Sequence, residues 1–151
     1  MNKIRRIGIG LWVAFATVAF IQESKESIME KRARAMSSAI NSDDREIWKK
    51  FIQENYSQAL IDRPMKATVQ VDGQSSQSSS DSKVSNLEAK TKMFDRLHND
   101  FAGSKITSIK SKDNKTEMVL STDTGLKGIF NLTFETERPY LISGLGVEVE
   151  N

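Results

Sequence analysis

His98 is the one histidine of the chain, and its type makes it the first candidate for acid–base chemistry. An imidazole can take up or release a proton near neutral pH, as a general base must. Asp100 follows two positions later, but residues two apart on a helix do not face each other, so Asp100 cannot orient the ring within a helix. Two interpretations of His98 stay open: a general base in a pocket, or a histidine at the edge of the core that bonds backbone or solvent.

A second chemical pattern is Ser80-Asp81-Ser82-Lys83, which matches the Ser-x-x-Lys arrangement of certain serine hydrolases. No Lys-Thr-Gly follows it, and its surroundings do not predict a helix to hold it. Serine is so frequent in this part of the chain that such a match arises readily by chance. We assign no nucleophile here.

Four aromatic residues could form a pocket together with the histidine. Aromatic positions at helical spacing are more often plain core, so a wall for a small apolar ligand and an ordinary hydrophobic core are both open. The candidate pocket residues are Trp48, Phe51, Tyr56, Phe94 and His98.

The composition excludes several classes of site. With no cysteine and a single histidine, a zinc site is implausible, and we predict neither a metal nor a cofactor. The 22 basic residues of the chain include three before residue 21, which leaves 19 against 20 acidic residues in the remainder. A surface so close to neutral argues against nucleic acid as a partner.

Residues 1–21 have the order of an export signal. Three cations between Asn2 and Arg6 precede an almost wholly apolar run from Ile7 to Ile21. A membrane-spanning helix needs roughly 20 apolar residues, and this run has 15, which favours a cleaved signal over an uncleaved anchor. We therefore predict an extracytoplasmic protein, periplasmic or secreted, that touches a membrane only through residues 1–21 if they are kept.

Residues 22–151 are predicted to form a single domain that begins with three helices. The first runs from Glu23 to Asn41, with apolar positions at steps of four, three and four. The second opens with an acidic capping box, Asp43 with Glu46, and ends near Asp62 because a proline follows.

A serine-rich segment separates the second helix from the third. It has too few apolar side chains to offset the entropy of ordering it, so we predict a flexible loop over 72–85. The flank Ala67–Val71 alternates as a short strand would. The third helix begins at Ser85, which forms a capping box with Glu88, and ends before Gly103.

After the third helix the apolar period changes to two, which predicts an antiparallel meander of about four strands. The strands are expected at residues 105–111, 116–122, 126–135 and from 141 onward. In the last strand the odd positions from Leu141 to Val149 share one face, with Gly144 and Gly146 opposite and able to permit strong curvature. The sequence thus predicts an α+β fold in which three helices pack on one face of a curved sheet.

Three short stretches carry a resemblance to a known family. Ala39-Ile40-Asn41-Ser42-Asp43 precedes an aromatic-bearing helix, Leu97-His98-Asn99-Asp100-Phe101 closes the third helix, and Ile142–Val147 follows a proline. They resemble the NTF2-like, or cystatin-like, domain, in particular the small extracytoplasmic domain that often precedes bacterial serine hydrolases of the penicillin-binding type. The resemblance implies a cone-shaped fold with a pocket, and it assigns catalysis in such proteins to the hydrolase module.

The leading hypothesis is an exported, non-catalytic NTF2-like domain that binds an unidentified partner protein or a small apolar ligand. A small pocket enzyme of the isomerase or cyclase type, with His98 as general base, is the alternative. A third possibility is a docking protein anchored in the envelope by residues 1–21. Open sheet faces of this kind often pair, so a homodimer is also compatible with the sequence.

Overall fold

The structure, a computed structural model, describes residues 23–64 and 86–150, in which four helices precede four strands. The elements are α1 (Lys25–Ile40), α2 (Arg45–Asn55), α3 (Gln58–Asp62), α4 (Asn86–Phe101), β1 (Lys105–Lys112), β2 (Lys115–Ser121), β3 (Lys127–Phe134) and β4 (Ile142–Glu150). The strands form one antiparallel sheet in the order β1-β2-β3-β4. The predicted α+β class is confirmed.

Several predictions concern residues that the structure does not describe. These are the export signal or anchor at 1–21, the short strand at 67–71 and the flexible loop at 72–85. Within the described residues, no helix is both long enough and apolar enough to cross a membrane.

Helix α1 packs its apolar stripe against the other helices and the sheet. The Ser24 hydroxyl accepts a hydrogen bond from the backbone N–H of Ser27 at 3.2 Å and caps the first turn. The residues at steps of four, three and four are all fully buried, as the period predicts. They are Met29, Ala33, Met36 and Ile40.

The predicted second helix is in fact two helices, so the count of three helices is wrong. Helix α2 begins after Asp44, whose carboxylate accepts from Glu46 N at 2.8 Å, so the cap is Asp44 and not Asp43. It ends at Asn55, and Tyr56 is extended and pairs with Ile142 of β4. A backbone bond from Ser57 N to Ile142 O, at 2.8 Å, replaces the continuing helical ladder.

The helices cover one face of the sheet. Along β2 and β3 the even-numbered residues are buried and the odd-numbered ones are exposed or half-buried, as alternation in a half-covered strand requires. Phe101 of α4 lies over Gly128, where an added Cβ would come within 2.5 Å of the Phe101 ring. Gly128 therefore makes room for the aromatic ring that joins α4 to the sheet. We call the opposite face, which no described helix covers, the outer face.

Strand β4 departs from the predicted alternation. The register with β3 shifts between Thr133 and Phe134, which adds one residue to β4. The extra residue, Ser143, reverses the alternation, so Ile142 and Gly144 lie on different faces of the sheet. As a result the even-numbered Ile142 is fully buried, while Leu141 precedes the strand. The prediction of one odd-numbered face is therefore wrong at the start of β4, whereas Leu145, Val147 and Val149 share one face as predicted, because they pair with Leu132, Phe130 and Gly128.

Candidate functional site

The candidate residue His98 lies where α1 ends. Its Nδ1 is 2.8 Å from the carbonyl oxygen of Ile40. The indole Nε1 of Trp48 donates to the carbonyl oxygens of Ala39 and Ser42, at 3.0 and 2.9 Å. A helix leaves its last carbonyls without intrahelical partners. Here ring side chains from α2 and α4 bond two of them, Ala39 O and Ile40 O, and Ala39 O also accepts from Ser42 N.

The second ring nitrogen of His98 faces a carboxylate. Its Nε2 lies 3.1 Å from Asp43 Oδ1, and the Asp43 side chain is 97% exposed, against 17% for His98. Carbonyl and carboxylate oxygens both accept, so the ring can donate to Ile40 and Asp43 together only when both nitrogens carry protons. The carboxylate partner is thus Asp43, from the loop between α1 and α2, and not the neighbouring Asp100.

The five predicted pocket residues separate into two groups. Trp48 and His98 form the pair at the end of α1. Phe51, Tyr56 and Phe94 form a buried aromatic cluster, with ring centroids between 5.4 and 6.5 Å apart.

Tyr56 is the one polar member of the aromatic cluster. Its hydroxyl is buried and has no hydrogen-bond partner among the described residues. Burial raises the pKa of this phenol far above its ordinary range.

A depression of about 480 Å³ opens on the outer face, at the end of the sheet that holds the β1–β2 turn. We call it the basic depression. It is lined by Lys110, Lys112, Lys115, Thr116, Glu117, Asn131, Leu132 and Thr133.

The basic depression contains an unfavourable pair of like charges. Lys112 of β1 stands directly opposite Lys115 of β2, while Lys110 stands opposite Glu117. Like charges in directly opposed positions destabilise a strand pair. No ion pair among the described residues includes any of the three lysines.

Two glycines of β4 continue the same face. Gly144 stands opposite Thr133 and Gly146 opposite Asn131, and an added Cβ would lie 3.4 and 3.8 Å from the Cβ atoms of those residues. The glycines therefore leave the backbone of β4 open beside the depression. As predicted, both glycines lie on one face of β4, and Leu145 and Val147 lie on its other face.

A second depression, of about 430 Å³, lies between α1 and α2. Small residues of α1 and apolar residues of α2 line most of it, including Ile47, which is 45% exposed, and Phe51. Neither depression is lined by Trp48, Tyr56, Phe94 or His98.

Comparison with protein families, with curated proteins and with solved structures found no match to this chain. The NTF2-like resemblance therefore stays a prediction from the sequence. In the ranges 23–64 and 86–150, no group of three acidic or histidine side chains is arranged to hold a metal ion.

Sequence reasoning missed the basic depression, although the signal was present. Lys112 and Lys115 flank the two-residue turn Asp113-Asn114, and Asp113 has the positive φ of 55° that tight hairpins use. Residues that flank a two-residue turn oppose each other, and Lys110 shares a face with Lys112 by alternation. Three lysines on one face could have been inferred once the turn was fixed.

Proposed function

We propose that the protein is an exported, non-catalytic binding domain that recognises a partner protein through the outer face of its sheet. The observation that carries the proposal is the outer face itself: no helix of residues 23–64 or 86–150 covers it, and it combines the basic depression with the open backbone of Gly144 and Gly146. Export is the prediction from residues 1–21.

The contacts of His98 support a binding domain over an enzyme. A general base needs a free ring nitrogen beside a space for substrate. Here Nδ1 contacts Ile40 O, Nε2 contacts Asp43, and neither surface depression reaches the ring. This arrangement fits a structural role for His98, which holds α1, α2 and α4 together.

Site-specific photo-crosslinking in the host cell tests the proposal. A photoreactive residue replaces Ile129, at the centre of the outer face, or Asp95, on the exposed side of α4, as the matched control. We expect a covalent adduct with one second protein from position 129 and none from position 95. A chain that stays free at both positions, although exported and folded, would overturn the proposed function.

One observation favours a second candidate, the binding of a small apolar ligand. The unpartnered hydroxyl of Tyr56 lies among aromatic rings, and a buried hydroxyl without a partner is costly. A ligand with one polar group could satisfy it. Native mass spectrometry of the protein from its own host would show the bound mass, and Tyr56→Phe would reduce its occupancy.

A further inference from the structure

We infer that the basic depression binds an acidic segment of a partner protein, with carboxylates placed over Lys110, Lys112 and Lys115. This inference rests on the proposed function, because it names the chemistry that the outer face would recognise.

The charges of the basic depression favour an acidic partner. Its lining holds three lysines and one carboxylate, Glu117, which stands opposite Lys110. Lys112 and Lys115 oppose each other and belong to no ion pair among the described residues. A carboxylate bound between them would offset their repulsion, so binding and stability of the β1–β2 hairpin are coupled.

The spacing favours an extended segment. Lys110 and Lys112 are two residues apart on one strand, a separation of about 6.6–6.8 Å. Acidic residues at alternate positions of an extended peptide have the same separation. Asn131 and Thr133 add neutral hydrogen-bonding groups, and Gly146 leaves space for a backbone to approach.

The rest of the outer face argues for a short segment rather than a flat anionic membrane. Glu148 and Glu150 lie on the same face, opposite Ile129 and Lys127. A flat anionic surface would meet these carboxylates as well as the lysines. A peptide confined to the depression would meet mainly cations, so its attraction is stronger and more local.

Fluorescence anisotropy with a dye-labelled peptide of alternating glutamate and serine tests the inference on the exported protein. The same peptide with glutamine in place of glutamate is the probe control. The variant is Lys112→Gln with Lys115→Gln, and Lys127→Gln, a lysine of the same face away from the depression, is the matched control. We expect binding that weakens with salt, about tenfold weaker binding in the double variant and a change below about twofold in the control.

The inference is overturned if the glutamate peptide does not bind, or if it binds the double variant and the parent with equal affinity. Vesicles of phosphatidylglycerol and phosphatidylcholine that bind while the peptide does not would assign the face to a membrane. Self-association that Glu148→Gln abolishes, without peptide binding, would assign it to a second copy. If the peptide does not bind but the photoreactive residue at position 129 still forms its crosslink, only this inference is wrong. If position 129 forms no crosslink, the proposed function is wrong. Unchanged melting of the double variant, or an increase, shows that it folds.

Discussion

The rings of Trp48 and His98 lie 5.5 Å apart, tilted by 41°, and each bonds a different carbonyl at the end of α1. Trp48 comes from α2 and His98 from α4. Three helices are thus joined at one point by side-chain hydrogen bonds to the last carbonyls of α1. Trp48 and His98, which the sequence suggested as pocket residues, both hold a neighbouring helix against the end of α1.

Replacing His98 by alanine is expected to lower the free energy of unfolding by about 1–3 kcal/mol, because the Ile40 carbonyl loses its partner and the Trp48 ring loses a neighbour. Urea unfolding followed by circular dichroism measures the loss. Asp43→Asn is the control: its side chain is almost fully exposed, so a change below about 0.5 kcal/mol is expected. Equal losses in the two variants would contradict the fastening role of the Ile40 contact.

Trp48→Phe keeps an aromatic ring but removes the Nε1–H donor. The carbonyls of Ala39 and Ser42 then each lose a hydrogen bond, and we expect the free energy of unfolding to fall by about 1–3 kcal/mol. Combined with His98→Ala, the loss should be smaller than the sum, since both side chains hold the same helix end. Strict additivity in the urea measurements would show that they act independently.

Gly128→Ala is expected to destabilise the protein by about 1–3 kcal/mol, because the new Cβ would lie 2.5 Å from Phe101 Cζ and 2.8 Å from Phe130 Cε2. Both rings are fully buried and cannot move freely. Gly146→Ala is the matched control in the same sheet, where the nearest atom is 3.8 Å away. Thermal melting should separate the two variants clearly, and similar melting temperatures would contradict the close packing of Phe101 on the sheet.

Much of the fold could be predicted because apolar period depends on local spacing alone. The stripe of α1 and the alternation through Phe130 and Leu132 follow directly from it. The break at Tyr56 could not be predicted, since an apolar residue there suits a continuing helix as well as an extended one. Only the backbone of Ile142, far along the chain, decides between them.

The candidate site was predicted less well, for the same physical reason. The sequence left two interpretations open for each ring: a pocket residue, or part of the core for Trp48 and of its edge for His98. The partners of the two rings are backbone carbonyls and Asp43, which no spacing rule connects to them. The bulge in β4 is likewise set by pairing with β3. Contacts between distant segments determine these features, and a single sequence does not show them.

Lys90 gives a prediction about pH. It is buried, its Nζ donates to Arg63 O at 3.0 Å, and its pKa is lowered, chiefly by burial and secondly by the charge of Arg63. A folded pKa below the unfolded one means that the unfolded chain binds more protons in the window up to about 10.4, so the contribution of Lys90 to stability rises with pH there.

Lys90→Met removes this contribution, so the stability of the parent relative to the variant should increase as pH is raised from neutral toward about 10.4. Urea unfolding at several pH values measures the difference. Lys92→Met, at an exposed position of the same helix, serves as the control and should show no such trend. A difference that stays constant with pH in the Lys90 variant would contradict the lowered pKa.

Tyr56→Phe is expected to stabilise the protein by about 1–3 kcal/mol at neutral pH, because it removes a buried hydroxyl that has no partner while the ring contacts with Phe51 and Phe94 remain. Burial raises the pKa of Tyr56, so above the unfolded pKa of about 10 the unfolded chain releases this proton while the folded protein keeps it, and the stability of the parent falls as pH rises. The variant should therefore lose less stability than the parent in strongly alkaline solution.

The control for this prediction is Tyr140→Phe, at a partly exposed ring that lies 5.5 Å from Lys25 Nζ, where a change below about 0.5 kcal/mol is expected. If Tyr56→Phe instead destabilises protein taken from its own host, the hydroxyl must have a partner there. Repeating the measurement on protein refolded from denaturant, which has lost any bound molecule, then decides the matter. A loss confined to the host-derived sample would identify a retained ligand, and the aromatic cluster would be its site.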